Sequence, residues 1–281
     1  MANIFTVDLE DWFHILDFPE TAQSKSWHNF EKRVEIGTHK ILKVLEKNNI
    51  QGTFFILGWI AEKYPDLVKL IADLGHDIGC HSYNHPLLYN LSETEFRNDT
   101  EVAMERIYAA TGVTTKYYRA PGFSVKNENL WALEILSNLG FEVDCSIFPV
   151  GRVHGGIDGY GRQMPHKIIL PSGRSITELP INYSKKLGVN LVYGGGGYFR
   201  ITPYFLMRRL FSSSPYNMTY FHPRDFDPGQ PRLSGLSIMR KFKCYVGITS
   251  SLKKLEKLTD EFEFCSVSQF LSKHSISKEF D

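Results

Sequence analysis

The sequence predicts an α/β protein in which short parallel strands form a sheet or barrel with helices outside. Short apolar runs, bounded by glycine, proline or polar residues, alternate regularly with longer segments whose apolar residues recur at helical spacing. Ionisable residues directly follow most of these apolar runs. Because ligands bind at the carboxyl ends of the strands in such folds, this placement favours one common site.

The predicted strands are short and apolar. A continuous apolar run such as residues 53–57 is typical of a parallel strand that is buried on both faces. Ionisable residues follow closely after five of the seven predicted strands; the strands at residues 53–57 and 262–267 are the exceptions. The strands lie at residues 4–7, 53–57, 76–79, 115–118, 141–143, 217–221 and 262–267.

The predicted helices separate these strands. Pro65 begins one helix and Gly75 ends it, while Ser92 and Glu95 form a capping box at the start of another. This alternation is the pattern of repeated β-α units. The helices lie at residues 31–48, 66–74, 92–110, 127–138, 203–210 and 251–261.

Residues 150–200 interrupt the pattern. Glycine and proline are dense there and helical periodicity is absent, which predicts a loop-rich insertion, with room for a small hairpin, over one mouth of the barrel. No linker, low-complexity tract or internal repeat separates the rest of the chain. We therefore expect a single domain over residues 1–281.

Composition excludes several classes of function. The chain has 32 basic and 31 acidic residues, a net charge of +1, so nucleic acid and anionic membranes are not expected partners. No window of about eighteen uninterrupted apolar residues predicts a membrane span. The amino terminus lacks the pattern of a secretory signal, which predicts a cytoplasmic protein. The four cysteines include no C-x-x-C pair, so neither a zinc-thiolate site nor a disulfide framework is expected.

A pair of histidines is the strongest candidate for a metal site. His81 and His85 are four residues apart just after a predicted strand, and they can share one ion if a helical turn begins there. Three acids at the end of the first strand could complete the ligand set. Strand alternation places Asp8 and Glu10 on one face, so Glu10 and Asp11 both remain candidates for the third ligand.

Hydrolysis at such a site also requires groups that move protons. His222 follows a later strand and titrates near neutral pH, which suits a general acid. Arg119 ends another strand, where its guanidinium could hold a basic carboxylate ionised through paired hydrogen bonds.

Four short motifs occur along the chain in this order: residues 6–11 (TVDLED), 81–86 (HSYNHP), 119–122 (RAPG) and 220–222 (YFH). Together they resemble the motifs of the metal-dependent polysaccharide deacetylases. The resemblance implies a distorted (β/α) barrel of about seven parallel strands. It also implies hydrolysis of the N-acetyl group of an amino sugar in a polysaccharide, oligosaccharide or carrier-linked glycan, with release of acetate. The glycine-rich residues 195–200 are similar to the branch of the family that serves bacterial exopolysaccharide and surface-glycan synthesis.

Carried over by position, the resemblance implies a role for seven residues. The implied cofactor is one divalent cation, zinc first, with nickel, cobalt or manganese as alternatives that the same ligands suit. The implied partner is an N-acetylated sugar or glycan. The roles are base for Asp8, acid for His222, partner of the base for Arg119, metal ligand for Asp11, His81 and His85, and oxyanion donor for the backbone N–H of Gly122.

The sequence departs from the family pattern in three places. Gly122 occupies the position after the third-motif proline where an aromatic residue is usual, and Phe123 follows one place later. The usual first motif has two adjacent aspartates, whereas this chain has Asp8, Glu10 and Asp11, so Glu10 remains an alternative ligand. The motif that orients the acid is unclear, and Asp144 is the nearest candidate to orient His222. Two alternative functions also follow: a related C–N hydrolase of small cyclic amides, and a non-catalytic carbohydrate-binding homologue.

Overall fold

The computed structural model describes residues 2–16, 24–152, 154–186, 189–233 and 235–276. Its centre is a seven-stranded sheet in the order β2-β3-β4-β5-β6-β8-β7. The strands are β1 Ala2–Ile4, β2 Thr6–Leu9, β3 Thr53–Ile56, β4 Asp77–Cys80, β5 Tyr117–Tyr118, β6 Val143–Asp144, β7 His166–Ile169, β8 Ser175–Glu178, β9 Ser184–Lys186, β10 Val189–Leu191 and β11 Tyr216–Met218.

Helices follow most of the strands of this sheet. As in other parallel sheets, connections that contain helices cover the outer surface and leave the strand ends accessible. The helices are α1 Val34–Lys47, α2 Gly58–Lys63, α3 Pro65–Asp73, α4 Glu93–Thr111, α5 Trp131–Asn138, α6 Gly196–Ile201, α7 Tyr204–Ser213, α8 Ile238–Tyr245, α9 Ile248–Glu261 and α10 Val267–Lys273.

The sheet curves into a distorted barrel. Strands β2 to β6 and β8 are parallel, and β7 pairs antiparallel with β8. Strand β1, which leads directly into β2, pairs in parallel with β11 on the other side, and a further bridge joins Val7 to Phe221. Side chains help to close the remaining gap, because the Asn182 amide accepts a hydrogen bond from Met218 N at 3.0 Å. The predicted fold is confirmed, with one of the seven strands antiparallel.

Helix α1 packs closely against the turn that follows β11. A Cβ atom on Gly37 would lie 2.0 Å from the carbonyl oxygen of Pro223, so the helix could not approach this turn with any larger residue. The turn itself begins directly after His222. The absence of a side chain at Gly37 therefore allows α1 to pack directly against the turn that follows the predicted catalytic residue His222.

Two regions differ from the sequence-based expectation. Residues 150–200 contain two hairpins, β7–β8 and β9–β10, and the first of them joins the central sheet. The prediction of a strand at residues 262–267 is wrong, because this segment forms only a single bridge, between Cys265 and Ile4. There the Ser266 side chain accepts a hydrogen bond from Gln269 N, and this capping box starts α10 where a strand was expected.

Within the described ranges, no helix is both long enough and apolar enough to cross a membrane.

Candidate metal centre and active site

The loop after β4 presents both histidines of the H-x-x-x-H motif. It does not begin a helix, as the i, i+4 interpretation required. Instead Ser82 and His85 adopt positive φ angles of 66° and 57°, which is a costly conformation for residues other than glycine. Asp99 of α4 supports this strained loop, because its two carboxylate oxygens accept the backbone N–H groups of Tyr83 at 2.7 Å and Asn84 at 3.1 Å.

Glu10 meets these two histidines. Its Oε1 lies 3.0 Å from His81 Nε2 and 3.0 Å from His85 Nε2, and all three side chains are buried. Burial raises the pKa of Glu10, but the neighbouring His85, His81 and His222 outweigh it and hold this pKa well below its usual range. The buried carboxylate is therefore charged and faces two imidazole nitrogens.

The hydrogen bond that His81 makes through Nδ1 determines the tautomer of its ring, and therefore whether Nε2 presents a lone pair to Glu10. His81 Nδ1 lies 2.7 Å from the carbonyl oxygen of Arg119, which can only accept, so Nδ1 carries the proton. In the neutral ring, Nε2 is then unprotonated and points at a carboxylate oxygen. Two such atoms repel unless a proton or a cation lies between them. One carboxylate and two imidazoles, with ligand atoms within 4.8 Å of one another, fit a divalent cation.

Asp11 does not lie at this cluster. Its Oδ2 accepts the backbone N–H groups of Arg33 and Val34 at the start of α1, and its Oδ1 accepts that of Trp12. Burial raises the pKa of Asp11 to about 6, although these three donors favour the charged form. The residue expected to ligate the metal thus caps a helix, while Glu10 reaches the histidines.

Asp8 forms a second buried cluster beside the first. Its Oδ1 accepts a hydrogen bond from Arg119 Nη1 at 2.7 Å, and both side chains are almost fully buried. Its Oδ2 lies 3.8 Å from His222 Nε2, which is also 3.9 Å from Glu10 Oε1. The structure thus brings the predicted base, its arginine partner and the predicted acid together around Glu10.

Arg119 is held from several sides. Its Nε donates to the Cys145 carbonyl at 3.2 Å, its Nη1 also donates to Thr6 Oγ1 at 2.7 Å, and its guanidinium lies 4.1 Å from the centroid of the Phe55 ring. These contacts leave the guanidinium little freedom to turn away from Asp8. A fully buried arginine in this setting is an ion-pair partner with fixed geometry.

His222 is oriented by Asp225, not by Asp144. Asp225 Oδ2 lies 3.3 Å from His222 Nδ1 and accepts the His222 backbone N–H at 3.0 Å, while Arg200 Nη1 lies 3.2 Å from Asp225 Oδ1. Burial lowers the pKa of His222, but Asp225, Glu10 and Asp8 together raise it to about 9. The ring therefore carries a proton at neutral pH.

Asp144 lies elsewhere, where it binds the Ser146 hydroxyl at 2.5 Å. The sequence did contain a signal for Asp225, because Pro223 at the first position of a helical turn with an acid two residues later is a capping pattern.

The inner cavity, of about 280 Å³, connects these groups to the surface; Asp8, Glu10, His85, Gly122 and His222 are among its lining residues. Gly122 has a φ of +61° in the turn after β5, and a Cβ atom there would come 2.7 Å from the Leu16 side chain. Gly122 thus lies at the wall of the cavity, and the structure brings six of the seven predicted site residues together at this place.

A buried cluster of histidines and carboxylates lies at the carboxyl ends of the barrel strands, which is where α/β barrels bind their ligands. Residues 20–143, somewhat less than half of the chain, match the polysaccharide deacetylase family. Residues 145–272 match a domain of unknown function, DUF3473. The central sheet crosses the boundary between the two segments, because β6 pairs with β8.

Two curated relatives and one solved structure show the extent of the similarity. The chain is 43% identical over 98 residues to a peptidoglycan N-acetylglucosamine deacetylase of Bacillus cereus, covering 34% of this chain and 36% of the relative. It is 32% identical over 123 residues to the peptidoglycan N-acetylmuramic acid deacetylase PdaA of Bacillus subtilis, covering 43% of this chain and 46% of that protein. The match thus spans between a third and a half of these relatives.

A crystal structure from Mycobacterium smegmatis, described as a candidate polysaccharide deacetylase, superposes over the whole chain. The TM-score is 0.63 at 19% identity, and the match covers 93% of that chain. At this identity the similarity shows the fold alone.

Proposed function

We propose that this protein is a metal-dependent N-deacetylase that hydrolyses the acetamido group of an amino sugar in a glycan and releases acetate. One observation carries the proposal: Glu10, His81 and His85 converge on one point, and Asp8 of β2 and His222 lie beside that point. The similarity of residues 20–143 to deacetylases of two different peptidoglycan sugars supports the reaction and leaves the sugar open.

Glu10, His81 and His85 would hold the cation, so Glu10 replaces Asp11 as the proposed third ligand. Zinc suits two imidazoles and a carboxylate, and nickel, cobalt and manganese suit them as well. A cation bound there would supply Lewis acidity to the acyl carbonyl and lower the pKa of a water.

The residues of the chain would move the two protons of the reaction. Asp8, paired with Arg119, accepts a proton from the attacking water. The hydroxide so formed adds to the carbonyl carbon, protonated His222 gives its proton to the leaving amine, and the C–N bond breaks. Asp225 keeps the His222 ring in place, and the Gly122 backbone is the proposed donor to the oxyanion.

The proposal is tested by acetate release from N-acetylated oligosaccharides by protein that has been stripped of metal and reloaded with zinc. His81→Ala should lose bound metal and turnover together, by more than the roughly 10–100-fold that removal of an outer-shell partner costs. His39→Ala, which removes an exposed histidine of α1, is the matched control and should behave as the parent.

Other outcomes select the alternatives. Equal turnover by His81→Ala and the parent protein would contradict a role for metal in the reaction. Hydrolysis of small cyclic amides by metal-free protein would select the related C–N hydrolase. Binding of sugar without turnover under any metal would select the non-catalytic homologue. A cytoplasmic location and a role in surface-glycan synthesis stay predictions.

A further inference from the structure

A larger outer cavity, of about 710 Å³, adjoins the inner cavity. The two share several lining residues, including Gly122, Phe123 and Lys243, so the outer cavity is next to the proposed reaction site. A ligand whose acetamido group reaches His222 would extend into it. The outer cavity is within the size range of sites that hold small molecules.

Positive charge dominates this outer cavity. Arg152, Arg240 and Lys243 line it, and its lining includes no aspartate or glutamate. Among the described residues, no carboxylate forms an ion pair with Arg152 or Lys243. Cations that line a concave surface without acidic partners raise the local concentration of anions.

Arg152 is also held in position. Its guanidinium carbon lies 4.7 Å from the centroid of the Phe148 ring and 4.6 Å from that of Tyr198, and both rings line the same cavity. Its backbone N–H donates to the Gly155 carbonyl at 2.8 Å. An arginine packed between two rings keeps its donors directed and loses little freedom on binding an oxyanion.

Aromatic side chains complete the wall. Tyr198 is 42% exposed, and Tyr220 and Phe123 lie with it around the cavity. Such rings provide flat apolar surfaces on which a sugar ring can pack. Rings and cations together describe a site for a sugar or sugar carrier that bears negative charge.

We propose that the outer cavity binds an anionic group, a carboxylate or a phosphate, carried by the sugar that loses its acetyl group or by the part of the substrate joined to that sugar. This inference rests on the proposed function for the placement of the acetamido group, and it adds that the natural substrate is acidic. Arg152 and Lys243 are its specificity residues. They act on binding and take no part in the proton transfers.

The experiment measures binding by calorimetry to the zinc-loaded protein at low and high ionic strength. Three N-acetylated probes are compared: neutral N,N′-diacetylchitobiose, N-acetylmuramic acid with a carboxylate, and UDP-N-acetylglucosamine with a diphosphate. At least one anionic probe should bind about tenfold more tightly than the neutral one, and salt should reduce this advantage. The preferred probe identifies whether the anion is a carboxylate or a phosphate.

Arg152→Gln and Lys243→Gln should each weaken binding of the preferred anionic probe about tenfold and leave the neutral probe unchanged. Lys241→Gln is the matched control, because Lys241 is an exposed lysine of α8 outside the cavity lining, and it should have no effect. Equal binding of all three probes, no binding of any, or equal effects of the three substitutions would overturn the inference. Binding requires no turnover, so an inactive protein that still selects an anion contradicts only the proposed function.

Discussion

Glu10 and Glu178 are two buried glutamates whose surroundings shift their pKa values in opposite directions. Glu10 lies among three histidines, which hold its pKa well below the usual range despite its burial. Glu178, at the end of β8, lies beside Asp144, and burial together with this second acid raises its pKa well above 4.5. Burial alone therefore does not decide whether a carboxyl group is ionised; the charges of its neighbours do.

The two glutamates also differ in the role that their surroundings allow. Glu10 is a charged group that requires positive partners, so it suits a cation site. Burial and the neighbouring Asp144 raise the pKa of Glu178, which favours its protonated form, and its Oε1 accepts the Ile147 backbone N–H at 3.1 Å in the interior. Both residues are polar and buried, and only the first one faces the inner cavity.

The largest effect is expected from Glu10→Gln. The substitution keeps the size of the side chain but removes its charge, so the two imidazoles lose the carboxylate that completes the set. Metal affinity should fall by more than about 100-fold, and acetate release should fall with it. Competition with a chromogenic chelator measures the affinity.

Asp11→Asn is the control for this variant, because it changes the adjacent acid that caps α1. It should keep the metal and lower the free energy of unfolding by about 1–3 kcal/mol, since a backbone N–H loses its acceptor. If Asp11→Asn loses the metal while Glu10→Gln keeps it, the proposed ligand set is wrong.

A smaller effect is expected from Asp99→Asn. The amide can accept only one of the two backbone N–H groups that the carboxylate holds, which loosens the loop with its two positive φ angles. The folded protein should bind metal about 10–100-fold more weakly, as for other partners that orient ligands. Glu101→Gln, an exposed acid on the same helix, should bind metal as the parent does.

The smallest effect is expected from Glu178→Gln, and it depends on pH. Because the pKa of Glu178 is raised in the folded state, its contribution to stability is complete below the unfolded value of about 4.5 and is lost as pH rises through the folded pKa. Glutamine has no proton to release. The difference in free energy of unfolding, variant minus parent, should therefore increase as pH rises from 5 to 9.

Urea unfolding at a series of pH values measures this difference. Glu142→Gln removes an exposed glutamate that pairs with Lys116, and it should show little of the trend. Parallel profiles for the Glu178→Gln variant and the parent would show that Glu178 is ionised in the folded protein, and the contrast with Glu10 would disappear.

The alternation of apolar strands and capped helices is a local signal, and it predicted a parallel sheet or barrel with helices outside. The resemblance to a known family then implied the distorted barrel. Strand alternation also put Asp8 and Glu10 on one face, and the structure places both at the inner cavity. The sequence could not show whether Glu10 or Asp11 is the third metal ligand, because the position of the Asp11 side chain depends on where α1 begins. The acceptor for the first N–H groups of α1 lies more than twenty residues earlier in the chain.

Other parts could not be predicted because their cause lies in distant contacts. Strand β8 lies among glycines and prolines, and its pairing with β6 depends on the whole sheet. The two arginines show the same difficulty. Arg119 directly follows a clear strand, whereas Arg200 acts through Asp225, and nothing in the local sequence of Arg200 indicates this role.

The position of the first strand has a consequence for how the chain folds. Strand β1 pairs with β11, more than two hundred residues later, and Ile4 also meets Cys265. Such distant pairing slows folding, because a long loop must close before its contacts form. During synthesis, β2 can pair with β3 early, but its other edge stays open until residues near Phe221 emerge. Until then the nascent chain exposes an apolar strand edge, the kind of surface that aggregates and that chaperones cover.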